Sequence, residues 1–168
     1  MQRRSLLKLG LVSAAALAVA GGGAALWRPG WVDGRLSDSG RRVFRAVARA
    51  VLDGTLPNEP AAQQSALDAQ LQRLDTTLQA FPAATQAELS QLLALLAAAP
   101  GRLALAGLAQ PWDAASVAEL QASLQAMRTA SLALRQQAYH ALRDLTNAAW
   151  YAEPSTWSAL GYPGPRPL

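Results

Sequence analysis

His140 and Asp144 are the nearest this chain comes to a catalytic pair. Residues four apart share a helix face, so an imidazole and a carboxylate at this spacing can act as a base with its orienting acid, or as two ligands of a metal. Either chemistry needs more partners than the chain supplies. His140 is the sole histidine and there is no cysteine, so a relay or metal cluster would have to be completed by scattered carboxylates. The simpler expectation for His140 and Asp144 is a surface ion pair. The missing cysteine also excludes disulfides, thiolate zinc sites, iron–sulfur ligation and covalent haem attachment by this chain. Gly21, Gly22 and Gly23 follow no strand pattern, so a phosphate-binding loop is not expected. Nothing here points to an enzyme, and no cofactor or metal is expected in the chain itself.

A second group, Arg41, Arg42, Arg45 and Arg49, is basic enough to meet a phosphate or an acidic partner, or to form a solvated helix face. Bulk charge does not favour nucleic acid. The first 27 residues hold three of the fifteen basic side chains and no acid, leaving residues 28–168 with twelve arginines against eleven acids.

Those first 27 residues read as an export leader. Arg3 and Arg4 precede Ser5, then the apolar Leu6 and Leu7 and the lysine Lys8, and the run from Leu9 to Trp27 has Ser13 as its only polar side chain. This is the twin-arginine pattern, which is read by a translocase that moves folded proteins across the bacterial inner membrane. The expected location is the periplasm. Ala18 and Ala20 flank Val19 as a small-x-small cleavage site, while the apolar run is close to the roughly 20 residues that a membrane helix needs. Cleavage and retention as an inner-membrane tether through residues 9–27 both stay open.

The rest of the chain must position whatever function there is. Turn formers at Arg28-Pro29-Gly30 and Asp33-Gly34 predict a linker over residues 28–40, and a helical domain follows over 41–149. Val43, Phe44, Val47, Val51 and Leu52 give a first helix, capped by Ser37 or Ser39 and stopped at Asp53-Gly54. Leu67, Leu71, Leu74, Leu78 and Phe81 form a narrow seam on a second, with Gln63, Asp68, Gln70, Gln72, Arg73 and Asp75 on its opposite face. Leu89, Leu92, Leu93, Leu95 and Leu96 cover so wide an arc that their helix is expected to be central, ending at Pro100 and at Gly101 in positive φ. Arg102 to Gln110 make a short apolar segment stopping at Pro111-Trp112. Asp113 is the expected N-cap of the longest helical pattern, which bends near Thr129 to Ser131 and continues through Leu134, Ala138, Leu142, Leu145 and Ala149. No stretch alternates long enough to predict a strand. The fold class is therefore all-α, a small bundle of four to six helices in a single domain.

Residues 150–168 are different in kind. Trp150, Tyr151, Trp157 and Tyr162 crowd four aromatics into thirteen residues, with Pro154, Pro163, Gly164 and Pro165 stiffening the chain. Such a segment suits docking, either back onto its own bundle or onto a partner.

Taken together, the twin-arginine leader, the small helical body and the tail Leu145-Thr146, Trp150-Tyr151, Pro154, Trp157, Leu160-Gly161-Tyr162-Pro163-Gly164-Pro165 resemble the gluconate 2-dehydrogenase subunit 3 family. The likeness is strongest over residues 142–165 and the leader. In the middle it extends only to helical pattern and length. Trp150 stands where many members carry a second tyrosine. The resemblance implies a non-catalytic small subunit that binds a large periplasmic flavoprotein of the glucose-methanol-choline oxidoreductase type and supplies its export signal. FAD would belong to that partner, and a cytochrome c often completes such complexes. The alternative is a stand-alone exported helical binding protein or an assembly chaperone of the periplasm.

Overall fold

The structure, a computed structural model, describes residues 28–164, without the side chains of residues 158–160. The leader set, Arg3, Arg4, Leu6, Leu7, Lys8, Ala18 and Ala20, lies outside the described residues, as does Pro165. Helix accounts for 69% of what is described against one short two-stranded sheet, which makes the domain all-α. Its helices are α1 (Asp38–Val51), α2 (Pro60–Gln79), α3 (Ala83–Ala97), the single turn α4 (Ala99–Gly101), α5 (Val117–Arg128) and α6 (Ala133–Tyr151). A π-helix, Arg102–Ala106, continues α4, and a 3₁₀ helix, Pro154–Leu160, follows α6.

The stretch expected to be a linker folds instead. Trp31–Val32 (β1) and Arg35–Leu36 (β2) pair antiparallel, with Trp31 opposite Leu36. Asp33 and Gly34 both take positive φ, +50° and +75°, the geometry that a two-residue hairpin loop needs to match strand twist. The hairpin is tied to α3 through Trp31 N donating to Ser90 Oγ (3.1 Å) and Trp31 Nε1 to Gln86 Oε1 (3.2 Å). On the other side Leu36 N donates to Asp75 Oδ1 of α2 at 2.7 Å. Two-residue strands carry no periodicity to read, and the helical domain begins at Asp38 rather than residue 41.

The central helix is α1, not α3. It touches α2, α3, α5 and α6, and Ser39, Gly40, Val43, Phe44, Ala46, Val47, Ala48 and Ala50 bury most of its circumference. Small side chains let neighbours close in from several directions, while contributing little to a hydrophobic stripe. In α3 only Leu89, Leu93, Ala94 and Leu96 are buried. The seam of α2 is also wider than expected. Gln70 is fully buried and Asp75 nearly so, because position 70 lies three after Leu67 and four before Leu74, on the same face.

Asp75 belongs to a strap between α1 and α2. Its carboxylate receives the Leu36 amide and the Arg41 guanidinium, while Arg45 pairs with Asp68. Arg49 donates to the Ala115 carbonyl at 3.4 Å. Three of the four clustered arginines are therefore paired within the fold, leaving Arg42 as the exposed member. The cluster is a half-exposed face whose ion pairs tie α1 to α2.

Helix α3 stops at Ala98, whose ψ of 138° is extended, and the chain turns by 89° into α4 and the π-helix. Gly101 has φ −68°, not the positive value expected. Glycine is needed there for space, since a Cβ would overlap the Leu95 carbonyl. The turn after the π-helix is made by Gly107, at φ +67°. Among the described residues no single helix is long and apolar enough to cross a membrane.

The cap of α5 is Ser116 rather than Asp113. Ser116 Oγ accepts from Glu119 N at 3.3 Å and Glu119 Oε2 accepts from Ser116 N at 2.8 Å, a reciprocal capping box. At the start of α2, Glu59 accepts from the amides of Ala61 and Ala62. The Ser116 hydroxyl and then its amide hold the Glu119 carboxyl below its usual 4.5, and the Ala62 and then Ala61 amides do the same for Glu59. Groups whose folded pKa is depressed stabilise the protein fully above the unfolded value and lose that contribution as pH falls through the folded value. The difference in urea midpoint between the wild type and a Glu59→Gln, Glu119→Gln double variant is therefore expected at pH 7, and to shrink as pH drops below about 4.5. A difference that grows on acidification would contradict this.

Candidate docking site at the C-terminus

Helix α6 forms from the stripe read in the sequence, with Ala138, Leu142, Thr146, Ala149 and Trp150 buried. A helix end leaves its last carbonyls without intrahelical donors. Here each one is met. Ala148 O accepts from Ala152 N (3.0 Å), and Trp150 O accepts from Glu153 N and Thr156 Oγ1 (both 3.3 Å). Tyr151 O accepts from Trp157 Nε1 at 2.7 Å. Ala149 O is met from another helix, by Arg73 Nε of α2 at 2.8 Å. The residues after α6 thus fold onto its end as a clasp.

The clasp gathers two of the four aromatic residues that crowd this stretch of the sequence, Trp157 and Tyr162. The rings of Trp157 and Tyr162 lie 5.4 Å apart at 57°, and Tyr162 N donates to Trp157 O at 3.1 Å. Gly161, at φ +68°, makes the reversal that brings them together. Gly164 is buried close against the Trp157 ring. The exposed side of the clasp carries Pro154, Gly161, Tyr162 and Pro163, with Tyr162 48% exposed. Leu160 ends the 3₁₀ helix. Tyr151 is half-buried.

Trp150 leaves the expected docking set. It is 5% exposed and packs with Ala48, Leu52, Leu56 and Leu67 in a second core cluster, so a partner cannot touch it without opening the bundle. His140 and Asp144 do not pair either. Asp144 Oδ1 accepts from its neighbour Arg143 at 3.0 Å, while the His140 ring meets Tyr139 edge-on at 5.2 Å. The wide guanidinium fork outcompetes an exposed imidazole for the carboxylate. Among the described residues no three His, Asp or Glu side chains come together.

An open groove of about 520 Å³ lies between residues 106–110 and α5. Its lining is mostly small and apolar, and two of its polar side chains are engaged within the fold. Ser123 Oγ donates to Ala106 O at 2.6 Å and Glu119 is held by Ser116.

Arg73 and Glu153 were not singled out as site residues. Arg73 Nη1 lies 3.9 Å from Glu153 Oε2, and the arginine stands 76 positions before the carbonyl it serves. The available signal was indirect, an α6 with no basic residue in its last turn, where a cation is favoured.

Fold and site together define a small all-α bundle whose C-terminus is closed by an aromatic clasp. Comparison with protein-family models, with curated proteins and with solved structures gives no match.

Proposed function

We propose that this chain is a non-catalytic small subunit that binds a periplasmic FAD-dependent dehydrogenase of the glucose-methanol-choline type and directs its folded export by the twin-arginine pathway. FAD resides in the partner, and a cytochrome c subunit takes the electrons. The observation that carries this reading is the clasp. Tyr162 and Pro163 are exposed beside the Trp157 ring, in the segment where the resemblance to gluconate 2-dehydrogenase subunit 3 is strongest. Large side chains presented at low entropic cost are what a binding hot spot requires. The leader supplies the other half. A flavin enzyme loaded in the cytoplasm must stay folded to keep its cofactor, and a folded protein needs the route that Arg3 and Arg4 specify.

The test is co-export. With Arg3→Lys and Arg4→Lys together, both this chain and its flavoprotein partner are expected to remain in the cytoplasm, with periplasmic dehydrogenase activity falling at least about tenfold. Undiminished periplasmic flavoprotein in cells lacking the small chain would refute the proposal. Purification of the native chain as a yellow, flavin-absorbing complex supports it, whereas a colourless monomer supports the stand-alone alternative.

A further inference from the structure

We infer that Arg73 of α2 is the positioning residue of the clasp, fixing the pose in which Tyr162 and Pro163 meet the partner. The functional half of this inference rests on the docking reading above. The clasp leans mainly on α6, from which it grows, so its direction relative to the bundle depends on what reaches it from elsewhere. Arg73 does so across the Ala152 turn: Nε donates to Ala149 O (2.8 Å) in the last turn of α6, on which the clasp is built, and Nη1 lies 3.9 Å from Glu153 of the clasp. The two contacts have different weights. The first is a short charge-assisted bond to a terminal carbonyl, at the negative end of a helix that has no basic residue in its own last turn. The second is long and involves a Glu153 side chain that is 41% exposed, the kind of pair that steers more than it stabilises.

The seam beneath makes Arg73 matter more. Immediately inward, Gln70 Nε2 reaches Thr146 O only at 3.5 Å, while Gln70 Oε1 and Thr146 Oγ1 are buried without a hydrogen-bond partner. That stretch does little to set the register of α2 against the end of α6. Apolar packing such as Trp150 on Leu67 holds the two helices together there, and the Arg73 bond, one turn further on, adds the directional polar contact. Arg73 is itself 26% exposed at the side chain, so it can be replaced without opening the core.

The experiment compares amide hydrogen exchange in the full chain with delivery of the co-expressed flavoprotein to the periplasm. In Arg73→Gln, exchange at Thr156 and Tyr162, whose amides are bonded within the clasp, is expected to rise roughly tenfold or more. Exchange at the core positions Val47 and Leu71 stays as in the wild type, and flavoprotein delivery falls. Arg73→Lys, which keeps a cation but not the planar fork, is expected to be intermediate. Glu153→Gln, which removes only the long contact, is expected to change exchange less than about twofold. Unchanged clasp exchange in Arg73→Gln overturns the inference, and so does faster exchange with undiminished delivery. If the wild type delivers no flavoprotein, the proposed function fails on its own account, while the exchange data still decide whether Arg73 positions the clasp.

Discussion

Replacing Trp112 by alanine is expected to cost about 3–5 kcal/mol of stability, a large part of the ~5–15 kcal/mol available to a domain of this size. Trp112 is 3% exposed and sits in the main core cluster with Leu96, Leu105, Leu108 and Leu120. Its indole also does a backbone task. In a continuing α-helix the Leu96 carbonyl would accept from residue 100, but that residue is Pro100, which has no N–H. Trp112 Nε1 donates instead, at 2.7 Å in a buried setting. Truncation therefore opens a cavity and strands a buried carbonyl together. Trp112→Phe separates the two effects, keeping most of the ring while losing the donor, and is expected to cost about 1–3 kcal/mol. Urea titrations with an unchanged m-value measure both. A Trp112→Ala loss below about 1 kcal/mol would show that the 89° bend is held by something else.

The second large effect separates two aromatics that look equivalent in the sequence. Trp150→Ala is expected to destabilise the chain by about 3–5 kcal/mol, because the ring joins α6 to Leu52, Leu56 and Leu67. Tyr162→Ala is expected to leave stability within about 1 kcal/mol, since the side chain is 48% exposed. Under the docking proposal its cost falls on binding. A hot-spot loss of about 2 kcal/mol weakens the complex with the purified flavoprotein roughly 30-fold. Thermal melts and titration calorimetry of the two variants give four numbers that should cross over. If Tyr162→Ala binds the flavoprotein as tightly as the wild type, the exposed face of the clasp is not the docking surface.

What could be read in advance was whatever is local and periodic. The first helix was legible from Val43, Phe44 and Val47 and from the stop at Asp53-Gly54, because an apolar stripe and a turn dipeptide act within one segment. The same holds for the α6 stripe, while the expected bend near Thr129 to Ser131 is in fact a full break that separates α5 from α6. The cap of α5 was legible in principle, since Ser116-Val117-Ala118-Glu119 carries the capping-box spacing, but Asp113 is also a good cap and drew the boundary three residues too early. The hairpin was signalled only by its Asp33-Gly34 turn.

Long-range choices were a different matter. Residue order and type are enough for an all-α chain, its helix-forming stripes, a body poor in catalytic groups, and the residue patterns behind the export and docking proposals. The tertiary structure alone decided that α1 is central, that Gln70 and Trp150 are core, that Arg41 and Arg45 are spent on α2, and that Arg73 closes the end of α6. The reason is physical. A stripe is set by neighbours three and four residues away, whereas the partner of a terminal carbonyl or a guanidinium is set by which helices meet, and side chains as small as Ala46, Ala48 and Gly40 say little in hydropathy about how closely their neighbours pack.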